Sequence, residues 1–283
     1  MEKATREAKV HTSWINPNED YDRAVRDFVL RILDDRGRNL FLRDLAEFQR
    51  RIAFHGYINS LAQVLLKLTA PGVPDIYQGN EVWDFSLVDP DNRRPVNYER
   101  RRRLLPDLME RIAAAERSPE APLTALTDDL LQTIHDGRIK LYLTHRTLHY
   151  RRAHRDLFLY GDYQPLEVVG AKGEHACAFL RRWNDIEIVA VAPRLVVGLT
   201  GGDARPPRGP EVWEDTVLLL CDGQAGDAYR HLFTNETVRV VAHNGVPALR
   251  LAHVLSHFPV ALLERSSRQP AHRRKALAAH RRV

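Results

Sequence analysis

Between residues 20 and 155 the texture is helical except for one short run, Val73, Pro74, Asp75, Ile76 and Tyr77, set off by Gly72 and Gly79. Gly72 and Pro74 break the preceding helical pattern, and the run itself has the length of a single inner strand. One strand makes no sheet, because its backbone N–H and C=O groups would be left unpaired along both edges. The chain is therefore expected to be one part of a larger sheet-containing structure.

The flanking helices are legible from periodicity. Tyr21, Ala24, Val25, Phe28, Val29 and Ile32 recur at three- and four-residue intervals, and Asn16, Pro17 and Asn18 supply helix-start chemistry. Further helices are expected over 40–51, 52–68, 98–117, 124–131 and 137–154. The helix over 52–68 is apolar on nearly all faces and should be buried. In 98–117 the run Arg100 to Arg103 is expected on an exposed turn, with Leu104, Leu105, Leu108, Met109 and Ile112 facing inward and Pro119 and Pro122 closing the helix. After Asp156 short β-rich runs replace the helical period: 157–160, 166–169, 176–182, 186–192, 216–220, 229–233, 238–241 and 260–263. This is an all-β module, with a loop over 198–210 and a boundary near residue 155.

The 283 residues suffice for two cored domains, and 44% hydrophobic with 28% charged residues is ordinary for a globular protein. No stretch approaches the roughly 20 apolar residues of a membrane span, and the charged start Met1-Glu2-Lys3 has no apolar run of a signal peptide behind it. A cytoplasmic location, with no membrane partner, is the resulting expectation. The net charge of +5 is concentrated in Arg100 to Arg103, Arg151-Arg152 and the tail 266–283, not spread over a face interleaved with aromatics. That argues against nucleic acid as a partner, and the tail reads as solvated and disordered. Cys177 and Cys221 lack metal-binding spacing and sit in apolar runs, so two buried thiols are expected.

Chemistry-bearing residues crowd behind the short run. Gln78, Glu81, Trp83 and Asp84 lead into Asp89, Asp91, Arg93 and Arg94. Carboxylates that accept from hydroxyls, beside an aromatic face, suit a sugar; the plainer alternative is a loop whose Trp plugs a rim and whose acids are solvated. Asp89 and Asp91 have the spacing of calcium ligands, but further oxygen ligands do not follow at loop spacing, so no metal is expected. Lys9, His11, Thr12, Ser13 and Trp14 form a second polar cluster, either lining a cleft or joining two helices. Adjacent His and Ser do not by themselves make a nucleophile–base pair. His145 and His149 stand one helical turn apart without the acid of a metalloprotease motif, and read as surface or interhelical residues.

Three stretches carry a family resemblance: residues 3–21 (KATREAKVHTSWINPNEDY), 71–81 with 87–96 (PGVPDIYQGNE, LVDPDNRRPV) and 157–168 (LFLYGDYQPLEV). In this order and spacing they resemble the maltooligosyltrehalose synthase family of the α-amylase superfamily. The resemblance implies an α/β plus all-β fold: the last strand and helices of a (β/α)8 barrel with a helical insertion over 1–155, then a C-terminal β-sandwich-like domain over 156–265. It implies a maltooligosaccharide substrate, no cofactor, and glucan contacts from Lys9, His11, Trp14, Gln78, Glu81, Trp83, Asp84, Asp89, Asp91, Arg93 and Arg94. Barrel enzymes carry such residues after strand C-termini. The family's nucleophile, acid/base and stabilising carboxylates follow earlier barrel strands, so no catalytic residue is expected here. Asn97 stands where the family has an acid. The chain is thus expected to be a carboxyl-terminal portion, inactive alone, with a separate amino-terminal barrel fragment as a candidate partner; the alternative is a non-catalytic glucan-binding or structural module. A truncated gene, an internal start, a frameshift or a split protein would each give such a portion, and Met1 directly before the first matched stretch fits an internal start.

Overall fold

The computed structural model describes residues 1–117 and 123–266; Pro119, Pro122 and the basic tail beyond residue 266 lie outside them. The described residues form two compact units, Met1–Phe54 and a second from His55 onward.

The first unit begins with α1 (Glu2–Ala8) and α2 (Glu19–Ile32). Asn18 caps α2 by accepting the Tyr21 N–H at 3.1 Å, and Glu19, Asp20 and Asp22 in its first turn complement the helix dipole. The periodicity reading of α2 is borne out, yet neither helix buries a residue fully, and Phe28 and Leu30 are exposed. The two helices expected over 40–51 and 52–68 are one, α3 (Leu40–Thr69). No Gly or Pro breaks the pattern between them except Gly56, which a helix tolerates. Its carboxyl-terminal half is buried through Ile58, Leu61, Leu65 and Leu68 in the second unit.

In the second unit α4 (Tyr98–Arg117), α5 (Leu123–Gln132) and α6 (Arg138–Ala153) pack on one another. Leu108 and Ile112 of α4 face inward as expected, but Met109 is exposed. Residues 157–160, expected as a strand, are helical in α7 (Arg155–Tyr160). A four-residue apolar run carries no period of its own, and continuation from α6 after His154 decides it.

The β-region comes next: β1 (Asp162–Leu166), β2 (Val168–Val169), β3 (Ala176–Trp183), β4 (Ile186–Pro193), β5 (Val217–Leu219), β6 (Ala228–His231), β7 (Thr237–Arg239), β8 (Val241–His243), β9 (Val246–Arg250) and β10 (Ala261–Arg265). They form a six-stranded sheet, β1-β3-β4-β10-β6-β7, and a four-stranded sheet, β2-β5-β9-β8, with antiparallel pairing throughout. Both sheets feed one core, in which Leu180, Val189 and Leu263 of the first meet Leu218 and Leu249 of the second around Trp213. Cys177 and Cys221 are free and exposed, which corrects the expectation of buried thiols; Cys177 lies on β3 and Cys221 just past β5.

Arg181 of β3 joins helices to sheet. It is 1% exposed and has no carboxylate partner among its hydrogen bonds. Its guanidinium donates to five backbone carbonyls: Thr69 at the end of α3, Leu157 and Phe158 of α7, Gly161 after it, and Asp162 of β1, at 2.9–3.2 Å. These include carbonyls at the negative ends of α3 and α7, which helices leave without internal donors.

Residues 73–77 have no regular secondary structure and pair with no strand among the described residues, and Val73 is 88% exposed. The expected inner strand is therefore not formed within this chain. The physical reason is the one visible in the sequence: a parallel strand needs neighbours, and every strand described here belongs to an antiparallel sheet elsewhere.

Candidate functional site

The segment after residues 73–77 turns a corner at Gly79–Trp83 that is held from three sides. Gly79 adopts φ +88°, and a side chain there would crowd Arg101 and Val96. Arg101 of α4 donates to the Glu81 carboxylate at 2.8 Å, to the Asn97 carbonyl at 3.0 Å and to the Gly79 carbonyl. Lys140 of α6 donates to Asn80 Oδ1 at 3.1 Å and to the Val82 carbonyl at 3.4 Å. Trp83 Nε1 donates to the Ile134 carbonyl at 2.6 Å, and its ring lies 4.7 Å from Tyr57 of α3. Val82 itself is buried.

Beyond the corner the chain becomes exposed. Asp84 accepts the Ser86 N–H at 2.9 Å; hydrogen bonds from the Ser86 side chain and then its N–H hold the carboxyl below its ordinary value. Phe85, 73% exposed, stands 6.1 Å from Tyr57. The next turn closes on itself: Asp91 Oδ2 accepts the Leu87 N–H at 2.7 Å, Asp91 Oδ1 pairs with Arg94 at 2.7 Å, and Asp89 pairs with Arg93. Exposed pairs of this kind contribute roughly 0–1 kcal/mol each, so a ligand can take over either partner at little cost. Asn97 accepts the Arg100 N–H at 2.8 Å and so caps α4, a task for which an amide serves as well as an acid.

Gln78, Glu81, Trp83, Asp84, Asp89, Asp91, Arg93 and Arg94 thus share one continuous loop, but in two roles. Gln78, Asp84, Asp89, Arg93 and Arg94 are exposed. Glu81 is partly covered and paired with Arg101, and Trp83 has its indole N–H and one ring face engaged by the protein. Lys9, His11 and Trp14 lie in the first unit and are exposed or partly so. Lys9 follows α1 at φ 56°, His11 packs 5.0 Å from Tyr21, and Trp14 Nε1 donates to Glu7 at 2.8 Å beneath the Arg6 guanidinium. The Ser13 hydroxyl bonds Asn16, not His11. Thr12 links the Asn18 N–H to Asp22.

Sequence reasoning misses Arg101 and Lys140. Arg101 sits in a run of four arginines that reads as solvated, and its spacing of four residues from Asn97 is the only local signal. Lys140 is 4% exposed and its pKa is lowered to about 8, first by burial and then by Lys67, against the pull of Asp84 and Glu81. No local pattern marks it. His145 and His149 stack at 4.2 Å, and burial, then His149 and Arg146, lower the His145 pKa. Among the described residues no three or more His, Cys, Asp or Glu side chains gather where they could hold a metal, and no helix is long and apolar enough to cross a membrane.

In fold and in sequence the chain is similar to a portion of the maltooligosyltrehalose synthases. It is 34% identical over 266 residues to a Mycobacterium tuberculosis protein named as a maltooligosyl trehalose synthase, a match that covers 94% of this chain and 28% of that one. Among solved structures, maltooligosyltrehalose synthase from Arthrobacter ramosus superposes with a TM-score of 0.67 at 31% identity, covering 93% of this chain and 29% of that one. A hypothetical maltooligosyl trehalose synthase of Sulfolobus tokodaii gives 0.59 at 28% identity, covering 93% and 28%. The chain therefore spans a little over a quarter of the length of the relatives it matches, and the resemblance read from its three sequence stretches holds along nearly its whole length. No family model matches the chain.

Proposed function

We propose that this chain is a carboxyl-terminal portion of a maltooligosyltrehalose synthase, supplying a glucan-facing rim to a barrel whose other strands lie in the remainder of the enzyme. The reaction is intramolecular transglucosylation. The reducing-end α-1,4 bond of a maltooligosaccharide is opened and the terminal glucose rejoined through an α,α-1,1 bond, by retaining-glycosidase chemistry in which two carboxyls about 5–5.5 Å apart flank the bond. Residues 1–155 belong with the barrel in this reading, residues 156–265 form a separate β domain, and the protein works in the cytoplasm.

The observation that carries the reading is the similarity along 94% of this chain but 28% of its relative. The loop supports it. Exposed Asp84, Asp89, Arg93 and Arg94 offer hydroxyl-binding groups on a turn fixed at its base by Arg101, Lys140 and Trp83. Such a wall can hold the released glucose and keep water from it, which the mutase outcome requires. Glu81 and Asp84 sit three residues apart on one loop and Glu81 is paired with Arg101, so neither is assigned as nucleophile or acid/base. Lys9, His11 and Trp14 of the first unit are assigned glucan contacts of their own.

The experiment is loss of reducing ends from maltopentaose, with the purified chain alone and then mixed with a polypeptide supplying the rest of the relatives' length. Activity in the mixture alone supports the proposal. Turnover by the chain alone contradicts the absence of catalytic carboxylates, and silence from a mixture shown to assemble favours a non-catalytic glucan-binding module.

A further inference from the structure

The corner at 79–83 is built on a template that lies more than fifty residues away. The Ile134 carbonyl takes the Trp83 indole N–H. Gly137, at φ +82°, passes so close that a side chain on it would sit 3.1 Å from both the Trp83 backbone nitrogen and Val82 Cβ. One turn later Lys140 reaches Asn80 and Val82 together, with Nζ 5.6 Å from the centre of the Trp83 ring. A long flexible side chain is buried here at a large entropic cost, and a buried ammonium is tolerated only when its protons find acceptors. The Asn80 amide oxygen, the Val82 carbonyl and the Trp83 ring face are those acceptors.

We propose that Lys140 is the positioning residue of the substrate-facing loop: its ammonium latches Asn80, Val82 and Trp83 onto the 134–140 segment and so fixes where residues 84–94 stand. The residue touches no reacting atom and acts through the loop. The link to substrate rests on the proposed function; the latch itself does not. Charged groups face it from each side: Lys67 of α3 disfavours its proton, while Glu81 and Asp84 of the loop favour it, and burial brings its titration to about 8. Loss of that proton removes the cation from the Trp83 ring and leaves the two acceptor oxygens with uncharged N–H donors, which bind more weakly than those of the ammonium. The loop is therefore expected to loosen as pH rises through this range.

The test is amide hydrogen exchange on the full chain, read by mass spectrometry on peptides covering 78–88 and corrected for the intrinsic pH dependence of exchange. Lys140→Met is expected to speed exchange in these peptides tenfold or more while β3 and β4 peptides stay protected, and Lys140→Arg to restore most of the protection. In the wild type, protection of 78–88 alone is expected to fall between pH 7 and 9, and Lys140→Met to lack that dependence. Unchanged exchange at 78–88 in the methionine variant overturns the proposal. So does loosening of the whole unit to the same degree, which would make Lys140 an ordinary core residue. Should the methionine variant fail to fold, the wild-type pH profile decides: a flat profile refutes the latch. In the assembled enzyme the same variant is expected to lower kcat more than it raises KM; failure of that arm alone would count against the glucan-facing reading and leave the latch standing.

Discussion

Replacing Arg181 with methionine keeps the length and apolar body of the side chain and removes every donor from a site where five carbonyls converge. The Leu157 carbonyl retains the Gly161 N–H at 3.0 Å and is not orphaned. The Thr69, Phe158 and Gly161 carbonyls lose a charge-assisted donor from a side chain that is 1% exposed, whereas Asp162 lies at the surface, where water can replace it. Buried polar groups left unsatisfied cost about 1–3 kcal/mol each. Part of this is returned because a desolvated cation is no longer held in the interior; burial lowers the Arg181 pKa, and Arg151 adds to that. Taking these three carbonyls at the middle of the range, about 2 kcal/mol each, less about 2 kcal/mol returned by the desolvated cation, the expected loss is about 4 kcal/mol, a large share of the roughly 5–15 kcal/mol of a typical fold. Arg181→Lys keeps the charge but has three donors without the planar fork, so about 2 kcal/mol is expected. Urea denaturation followed by circular dichroism measures both, and thermal unfolding should show them at about 2–4 °C of Tm per kcal/mol for a chain of this size. A methionine variant within about 1 kcal/mol of wild type would show that these carbonyls find other partners and that Arg181 does not hold helix to sheet.

The same geometry yields other expected outcomes. His231 is buried and neutral, its pKa lowered to about 3 by burial and then by His257. The unfolded chain takes up a proton below about 6.5 and the folded chain does not, so stability falls as pH drops across that window, by about 2 kcal/mol from pH 8 to 5. His231→Asn, whose Oδ1 can accept the Phe233 N–H in place of Nδ1, should remove most of that slope in urea titrations at the two pH values; an unchanged slope refutes the assignment. In the assembled enzyme Trp83→Ala should reduce maltooligosaccharide turnover at least tenfold and Arg102→Ala less than twofold, because Trp83 anchors the loop and Arg102 is exposed. Equal effects would detach the loop from the chemistry. Native protein should yield both thiols to a water-soluble disulfide reagent without denaturant, since Cys177 and Cys221 are exposed; one unreactive thiol would contradict the fold around β3 or β5.

Periodic elements are legible in the sequence and singular ones are not. The α2 stripe and the β3 and β4 runs can be read to within a residue or two, because helix and strand each repeat a pattern that one window samples several times. Residues 157–160 mislead because four apolar residues sample no period, and their helical form is completed by carbonyl contacts from Arg181, twenty-odd residues later. The strand expected at 73–77 fails for the opposite reason: its local signal is sound, but pairing is a property of neighbours, and no described strand lies beside it. In the loop, composition points to the exposed acids and arginines. It cannot separate Arg101 from Arg100, Arg102 and Arg103, nor single out Lys140, because what distinguishes them is a partner twenty or sixty residues away.

The uncovered stretch at 73–77 also sets how the chain behaves in a tube. An exposed segment outside any sheet, leading on to exposed Phe85, Leu87 and Val88, offers a place where another molecule can add a strand. Meeting is a bimolecular event, so the initial rate at which dissolved protein is lost should scale with the square of its concentration. Dilution, more than cooling, is then what preserves this chain.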